Sequence, residues 1–260
     1  MTLPSYKKPP INEVFCGMQF RASDNLRIPH IGCLWNKFRK DYPNIQHVSP
    51  IATAKGEISF DNATGVPLPR VWFINESDDQ LIQFQVDRFY YNWRRKERDY
   101  PRYKHIIEGF ENVRDNIEGF FVEFDLGELN PVGYELSYTN HIPQGQGWDK
   151  IEDLTNIFSD FIWKKVDGRF LSNPEKVAWR TMFSLPENNG HLIVNLDQGV
   201  RAEDKVPLLT LTLKTQGVCE SPSKEAAREW FNLSHEWIVR GFTDLITPEI
   251  QEIWEKEKHD

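Results

Sequence analysis

Alternating apolar and polar positions near the start of the chain predict a β-strand over Val14 to Phe20. A helix is predicted over Ile31 to Asp41, and the segment from His47 to Pro69 is typical of a long connection because it is rich in Pro, Gly, Ala and Asn. Two further strands are expected, over Arg70 to Asn75 and over Leu81 to Trp93, joined by a polar turn.

The strand predicted over Leu81 to Trp93 changes phase in its middle. Its apolar side chains are at even positions up to Val86 and at odd positions from Phe89 onward. A β-bulge near Asp87-Arg88 explains such a switch, and bulges often redirect side chains beside a functional site. A long helix follows from Tyr103 to Phe121, because apolar residues recur there at spacings of three and four.

The second half of the chain repeats this order. Asn189-Gly190 indicates a hairpin, since both residues tolerate the positive φ angles of a tight turn. A long helix is expected from Ser221-Pro222 and a terminal helix from Thr247-Pro248. The other predicted elements are a strand over Tyr134 to Ile142, a helical segment over Asp149 to Lys165, and strands over Val177 to Leu185, His191 to Leu196 and Leu208 to Thr215.

Both halves therefore have the order strand, helix, strands, long helix. This predicts a pseudo-duplicated α+β protein in which an antiparallel sheet is covered on one face by helices. We expect two α+β halves, residues 1–127 and 128–260, which can also form one continuous domain.

Composition supports a globular protein. Of the 260 residues, 39% are hydrophobic, and no apolar run approaches the roughly 18 to 20 residues that span a bilayer. Without an apolar signal-like segment at the N-terminus, we expect a cytoplasmic protein with no membrane partner. Cys16, Cys33 and Cys219 lack metal-site spacing, so we expect reduced thiols, no metal and no cofactor.

The charge pattern points to one stretch, Arg88 to His105, which we call the basic stretch. It contains seven Arg and Lys, two acids and six aromatic residues, within a chain of formal charge -8. Interleaved cations and rings suit the binding of planar or anionic groups, although long basic side chains can also simply cover aromatic rings. The predicted binding residues here are Asp87, Arg88, Tyr91, Asn92, Trp93, Arg94, Arg95, Arg98, Arg102 and His105.

A second candidate surface is the sheet face that the helices leave uncovered. Its predicted positions are polar, which fits either an ordinary solvated face or a face that meets a partner. The candidates on it are Gln83, Gln85, Glu135 and His141.

Known catalytic motifs are not matched. Val239 stands where the second His of a zinc-protease HExxH helix belongs, four residues after His235. Arg98 and His105 superficially resemble the Arg-x-His motif of the all-helical HEPN ribonucleases, but Pro101 interrupts the segment and strands surround it. The ribonuclease alternative is therefore disfavoured.

Motifs along nearly the whole chain resemble a sporadically distributed, uncharacterised bacterial family of similar length. They include Pro9-Pro10-Ile11, Gly17-x-Gln19-Phe20, Arg70-x-Trp72-Phe73, Asp87-Arg88-Phe89, Asn92-Trp93-Arg94, Tyr100-Pro101-Arg102-Tyr103 and Asn140-His141-Ile142. The resemblance brings no established activity, cofactor or catalytic residue. Its patchy distribution is typical of defence components, antitoxins and immunity proteins.

The leading hypothesis is a non-enzymatic binding or adaptor protein that engages another protein or an anionic ligand through the basic stretch and the polar sheet face. The alternatives are a nucleic-acid-binding component of a complex, and an enzyme with an unfamiliar site involving His141, Glu135 or His105. The sequence leaves the oligomeric state open.

Overall fold

A computed structural model describes residues 2–52, 58–161, 167–219 and 221–257 of the chain. The strands are β1 (Ile11–Phe20), β2 (Asn44–Val48), β3 (Arg70–Ile74), β4 (Gln80–Gln85), β5 (Arg88–Arg94), β6 (Pro131–Pro143), β7 (Ala178–Ser184), β8 (His191–Val200) and β9 (Pro207–Gly217). The α-helices are α1 (Ile28–Phe38), α2 (Tyr103–Glu123), α3 (Lys224–Leu245) and α4 (Pro248–Ile253).

The predicted fold class is confirmed: the strands form a nine-stranded antiparallel sheet in the order β2-β3-β4-β5-β1-β6-β9-β8-β7. In each half of the chain the first strand lies beside the last strand, β1 beside β5 and β6 beside β9. In each half, the second strand lies at an edge of the sheet, and the strands that follow pair one after another until the last strand reaches the first. None of the described helices is both long and apolar enough to cross a membrane.

The chain packs into two compact units, each built from separate segments. We call Glu13–Leu136 with Gly217–Phe231 the β1–β5 unit, and Met1–Asn12 with Ser137–Gln216 and Asn232–Asp260 the β7–β9 unit. These units do not coincide with the predicted halves 1–127 and 128–260.

The core of the β1–β5 unit lies between the sheet and α2. The ring of Phe89 on β5 stacks on that of Phe110 on α2, with centroids 5.4 Å apart. Gly109 lets α2 approach β5, since a Cβ there would come within 2.5 Å of the Tyr91 ring. The apolar stripe of α2 thus packs on the odd-numbered side chains of β5, as the spacing predicts.

In the β7–β9 unit, helices pack on the sheet in the same way. Gly241 of α3 lies over Leu192 of β8, and a Cβ at Gly241 would come within 3.2 Å of the Leu192 Cδ2 atom. The rings of Phe242 and Trp254 stack with centroids 5.6 Å apart, which joins α3 to the segment after α4. Thr247 caps α4 through its hydroxyl, which accepts a hydrogen bond from the Ile250 N–H, as predicted.

The largest correction concerns the strand predicted over Leu81 to Trp93. It is a hairpin: β4 and β5 are joined by the two-residue turn Val86-Asp87, and Gln85 lies opposite Arg88. The phase reversal therefore comes from a change of strand and not from a bulge. Neither turn residue has the positive φ that tight hairpin turns usually use, so the sequence lacks the usual Gly or Asn signal.

Other boundaries also differ. The helical segment predicted over Asp149 to Lys165 contains one 3-10 helix, Ile151–Asn156, and residues 162–166 lie outside the described residues. The residue that caps α3 is Ser223, whose hydroxyl accepts from the Ala226 N–H, rather than Ser221. The hairpin at Asn189-Gly190 exists, but its connection is longer than two residues because a 3-10 helix, Pro186–Asn188, precedes it.

Candidate binding site on the polar face of the sheet

Because β4 and β5 form a hairpin, the side chains of β5 divide between the two faces of the sheet. Phe89, Tyr91 and Trp93 point toward the core, so Arg88, Tyr90 and Asn92 point to the opposite side of the sheet. Strand register places β1 and β4 residues beside them. We call this surface the polar face, and its members are Glu13, Phe15, Gly17, Gln19, Arg70, Trp72, Gln83, Gln85, Arg88, Tyr90, Asn92 and Glu135.

One chain of hydrogen bonds crosses four strands of the polar face. The Asn92 Nδ2 donates to Glu13 Oε1 at 2.7 Å, and the Gln83 Nε2 donates to Asn92 Oδ1 at 2.8 Å. The Arg70 Nη2 then donates to Gln83 Oε1. Asn92 is 1% exposed, so its amide is held entirely by protein partners. The chain fixes the orientation of each amide.

Tyr90 forms the centre of the polar face. Its ring lies over Gly17 and meets the Phe15 ring edge-on, with centroids 5.2 Å apart. Its hydroxyl donates to Glu135 Oε1 at 3.3 Å, and the Gln19 Nε2 donates to the same oxygen. Burial, together with the Glu135 charge, raises the pKa of Tyr90 to about 12, so the hydroxyl stays protonated at neutral pH.

Arg88 is held by its sequence neighbour. Its Nε and Nη2 donate to the two oxygens of Asp87 at 3.0 and 2.8 Å, a bidentate ion pair. The hydrogen bond to Asp87 raises the pKa of Arg88 further above its already high value. The Gln85 Nε2 also donates to Asp87 Oδ1, at 3.1 Å, and to the Ile51 carbonyl at 2.7 Å. The pair is therefore locked in place, and its charges cancel.

Arg70 and Trp72, both on β3, differ from the rest of the polar face. The Arg70 guanidinium lies 5.7 Å from the centroid of the Trp72 indole, and no carboxylate among the described residues forms an ion pair with it. The Trp72 Nε1 is buried and has no hydrogen-bond partner in the described part of the chain. Burial, together with the charge of Arg88, lowers the pKa of Arg70. Within the described residues, Trp72 thus has a donor without an acceptor and Arg70 has a charge without a carboxylate partner.

The polar face is more buried than an ordinary solvated sheet face. The predicted candidates Gln83, Gln85 and Glu135 are each under 9% exposed, because the side chains pack sideways on each other. Glu13, Phe15, Gln19, Arg70 and Trp72 keep intermediate exposure and form the accessible part of the surface. A ligand would therefore meet a rigid layer with a partly open rim.

The basic stretch is much less cationic in the structure than in the sequence. Asp78 in the β3–β4 turn pairs with both Arg94 and Lys96, and Asp79 lies 4.0 Å from Arg98. Arg95 pairs with Asp99 at 3.4 Å. Arg88 pairs with Asp87 and Lys104 lies 3.9 Å from Glu108, so six cations of the stretch face acids, and four of those acids lie outside the stretch in the sequence.

The aromatic side chains predicted for stacking are in the core. Tyr91 and Trp93 are each 2% exposed, because odd positions of β5 face α2. This burial corrects their predicted role as a stacking surface. Arg88 and Asn92 lie on the polar face and Asp87 lies in the adjoining hairpin turn, whereas Arg102 and His105 are exposed at the start of α2.

The three residues named for an enzymatic site are distributed over different parts of the fold. Glu135 is in the β1–β5 unit on the polar face, and His105 is exposed on α2. His141 is in the β7–β9 unit, where burial, and then the charge of Arg201, lower its pKa. In the described residues, no group of three or more His, Cys, Asp or Glu is arranged to hold a metal ion.

A separate groove of about 380 Å³ lies near the start of β6, lined by residues that include Arg21, Gly133 and Cys219. Burial raises the pKa of the Cys219 thiol to about 11, so it is protonated at neutral pH and a weak nucleophile. The groove therefore holds its cysteine in the unreactive thiol form.

Sequence reasoning missed Glu13, Phe15, Arg70, Trp72 and Tyr90 as site residues. Recognition of the β4–β5 hairpin would have identified Tyr90, because the hairpin places the even-numbered side chains of β5 together on one face of the sheet. Arg70 and Trp72 share the i, i+2 spacing of one strand face, yet only the fold shows that, among the described residues, the Trp72 N–H has no acceptor and Arg70 has no carboxylate partner.

No protein-family model, curated protein or solved structure matches the chain. The resemblance to an uncharacterised bacterial family, and the defence-related role it implies, therefore stay predictions.

Proposed function

We propose that the chain is a non-enzymatic binding protein that uses its polar face to hold an acidic side chain of a partner protein. The observation that carries this proposal is the pairing of Arg70 with Trp72. Arg70 is a partly desolvated guanidinium without a carboxylate partner in the described residues, and it lies over an indole whose N–H is also unsatisfied. A carboxylate accepts hydrogen bonds from the partly exposed guanidinium and supplies the missing charge.

The surroundings of Arg70 support a defined binding geometry. Gln83 holds one end of the guanidinium and is itself held by Asn92 and Glu13, so Arg70 is oriented before a partner arrives. Less side-chain entropy is then lost on binding. Phe15 and Trp72, both partly exposed, add the apolar area that interface hot spots usually contain.

Charge favours a protein partner over nucleic acid. Nucleic-acid binding depends on several unpaired cations that contact phosphates. Arg88 is neutralised by Asp87, and Arg94, Arg95, Lys96 and Arg98 face acids within 4.0 Å. Arg70, which has no carboxylate partner among the described residues and lies beside aromatic rings, suits one carboxylate better than a phosphate backbone.

The proposal is tested by panning a random-peptide display library on the immobilised full chain and measuring synthetic peptides by fluorescence polarisation. We expect enrichment of peptides with Asp or Glu next to an aromatic residue. Arg70→Ala should weaken their binding by about tenfold or more, since a buried charge contact contributes over about 1.4 kcal/mol. Trp72→Phe, which keeps the ring and removes the N–H, should weaken it less.

Arg39→Ala is the matched control, because Arg39 is an exposed arginine of the same unit as Arg70 that lies outside the polar face. It should leave peptide binding unchanged. Enriched peptides that lack acids, or that bind Arg70→Ala as well as the unaltered chain, contradict the proposal. Tight binding of single-stranded RNA or DNA, with an affinity that falls steeply with salt, would show that the partner is nucleic acid and not a protein.

A further inference from the structure

Strand β7 lies at one end of the sheet, and no described strand pairs with its outer edge. It carries exposed apolar side chains on both faces: Met182 is 58% exposed and Phe183 is 42% exposed. Exposed edge strands with apolar side chains tend to pair with another strand. The opposite edge, β2, has only five residues and is closely flanked by Pro43 and Pro50, which limit pairing.

The hydrogen bonds to β8 show which backbone groups of β7 point outward. The Gln198 N–H donates to the Val177 carbonyl and the Leu185 N–H donates to the Gly190 carbonyl, one bond at each end of the β7–β8 ladder. Hydrogen-bonded pairs alternate along an antiparallel ladder, so the odd positions from 177 to 185 bond to β8. The outward groups therefore belong to the even positions, which are Ala178, Arg180, Met182 and Ser184.

From this pattern we infer that β7 pairs with β7 of a second copy of the chain, antiparallel and centred on Thr181. In that register Arg180 lies opposite Met182 of the other copy, and Ala178 lies opposite Ser184. All outward N–H and C=O groups of the strand then form bonds, two for each facing pair of even residues.

The side chains of β7 are self-complementary in the same register. Trp179 lies opposite Phe183 of the second copy in a non-hydrogen-bonded pair, where side chains approach most closely and aromatic pairs are favourable. The only charged residue of the strand, Arg180, faces Met182 and so meets no like charge directly. Because aromatic and small residues are placed symmetrically about the centre of β7, a second copy of the chain is the partner that the strand fits. This pairing is independent of the polar face.

In the proposed register Thr181 faces Thr181 of the second copy, so charged substitutions at this position test the pairing. Thr181→Glu and Thr181→Lys each place like charges opposite each other, about 4.5 to 5.5 Å apart at Cβ, which disfavours self-pairing. We expect sedimentation velocity to show a dimer of the 30.6 kDa chain, monomers for each variant alone, and a dimer again in an equal mixture of the two. Circular dichroism establishes that each variant is folded.

Met182→Pro provides a second, independent variant. It removes an outward N–H that β8 does not use, so it should also give a folded monomer. An unaltered chain that is monomeric at its highest soluble concentration overturns the inference. A dimer that persists in both charge variants and in Met182→Pro overturns it as well, because the interface then lies elsewhere.

Discussion

The position of the Tyr90 ring depends on the absence of a side chain at Gly17. A Cβ at Gly17 would overlap the Cδ1 and Cε1 atoms of Tyr90, far inside van der Waals contact. Gly17→Ala should therefore push the ring away from Phe15 and lower the free energy of unfolding by about 1–3 kcal/mol, the usual cost of overpacking. Chemical denaturation measures this change.

Gly32→Ala is the control for this prediction. Gly32 lies within α1 and a Cβ there would meet nothing within 4 Å, so alanine should stabilise the chain by up to about 1 kcal/mol through helix propensity. Equal effects of the two substitutions would show that the ring does not rest on Gly17.

His235 gives a pH dependence at a single residue. Burial lowers its pKa to about 4 from the ordinary value of 6.5, and its ring lies 6.0 Å from that of Tyr138. The unfolded chain thus binds a proton between pH 6.5 and 4 that the folded chain does not, so stability should fall as the pH drops through this window. His235→Gln should reduce the slope of unfolding free energy against pH, and an unchanged slope would contradict the assignment.

Among the elements, α1 is capped at its N-terminus by a side chain that is distant in the sequence. No Ser, Thr, Asp or Asn caps it locally. Instead the Asp61 side chain accepts from the Ile28 N–H at 2.9 Å and from the Arg27 Nε at 2.9 Å. The Ile28 N–H, followed by the Ala63 N–H and the Arg27 guanidinium, lowers the pKa of Asp61. The stability from this carboxylate is present above its unfolded pKa near 3.8 and is lost as the pH falls from there through the lower folded pKa.

Asp61→Asn should therefore lower the thermal midpoint at neutral pH, and the difference from the unaltered chain should shrink as the pH falls below the unfolded pKa near 3.8. Asp197→Asn, at an exposed position of β8, should leave the midpoint unchanged. The comparison is a thermal melt followed by circular dichroism at several pH values. A midpoint for Asp61→Asn that matches the control would show that α1 does not depend on this contact.

Elements with a clear period could be predicted from the sequence, whereas elements set by tertiary contacts could not. α2 has apolar side chains at helical spacing throughout, and its start at Tyr103 is as expected. The Val86-Asp87 turn lacks the residues that usually mark a hairpin, so its strands resemble one long strand. On the polar face, the buried Gln83 donates to Asn92 and the buried Glu135 accepts from Tyr90, which a strand period cannot show because it does not distinguish water from a polar partner.

At the scale of the whole molecule, the placement of acids decides what the basic stretch can bind. The stretch has an excess of five positive charges in sequence, but the fold brings the β3–β4 turn beside it, and Asp78 pairs with Arg94 and Lys96. The surface formed by the basic stretch is therefore not strongly positive, in keeping with the formal charge of -8 for the whole chain. The local composition shows the cations, whereas only the fold shows that the β3–β4 turn supplies acids to Arg94, Lys96 and Arg98.

Asp78→Asn tests this balance. Asp78 has a φ of 56°, a conformation that Asn tolerates well, so the substitution should remove the charge without breaking the turn. With Arg94 and Lys96 released, the variant should elute from a heparin column at higher salt than the unaltered chain. Asp197→Asn makes the same change in formal charge, from -8 to -7, at a position away from the stretch, and should elute with the unaltered chain. Elution of both variants together, at higher salt than the unaltered chain, would mean that total charge, and not the Asp78 pairs, determines retention, and co-elution of all three proteins would contradict the prediction.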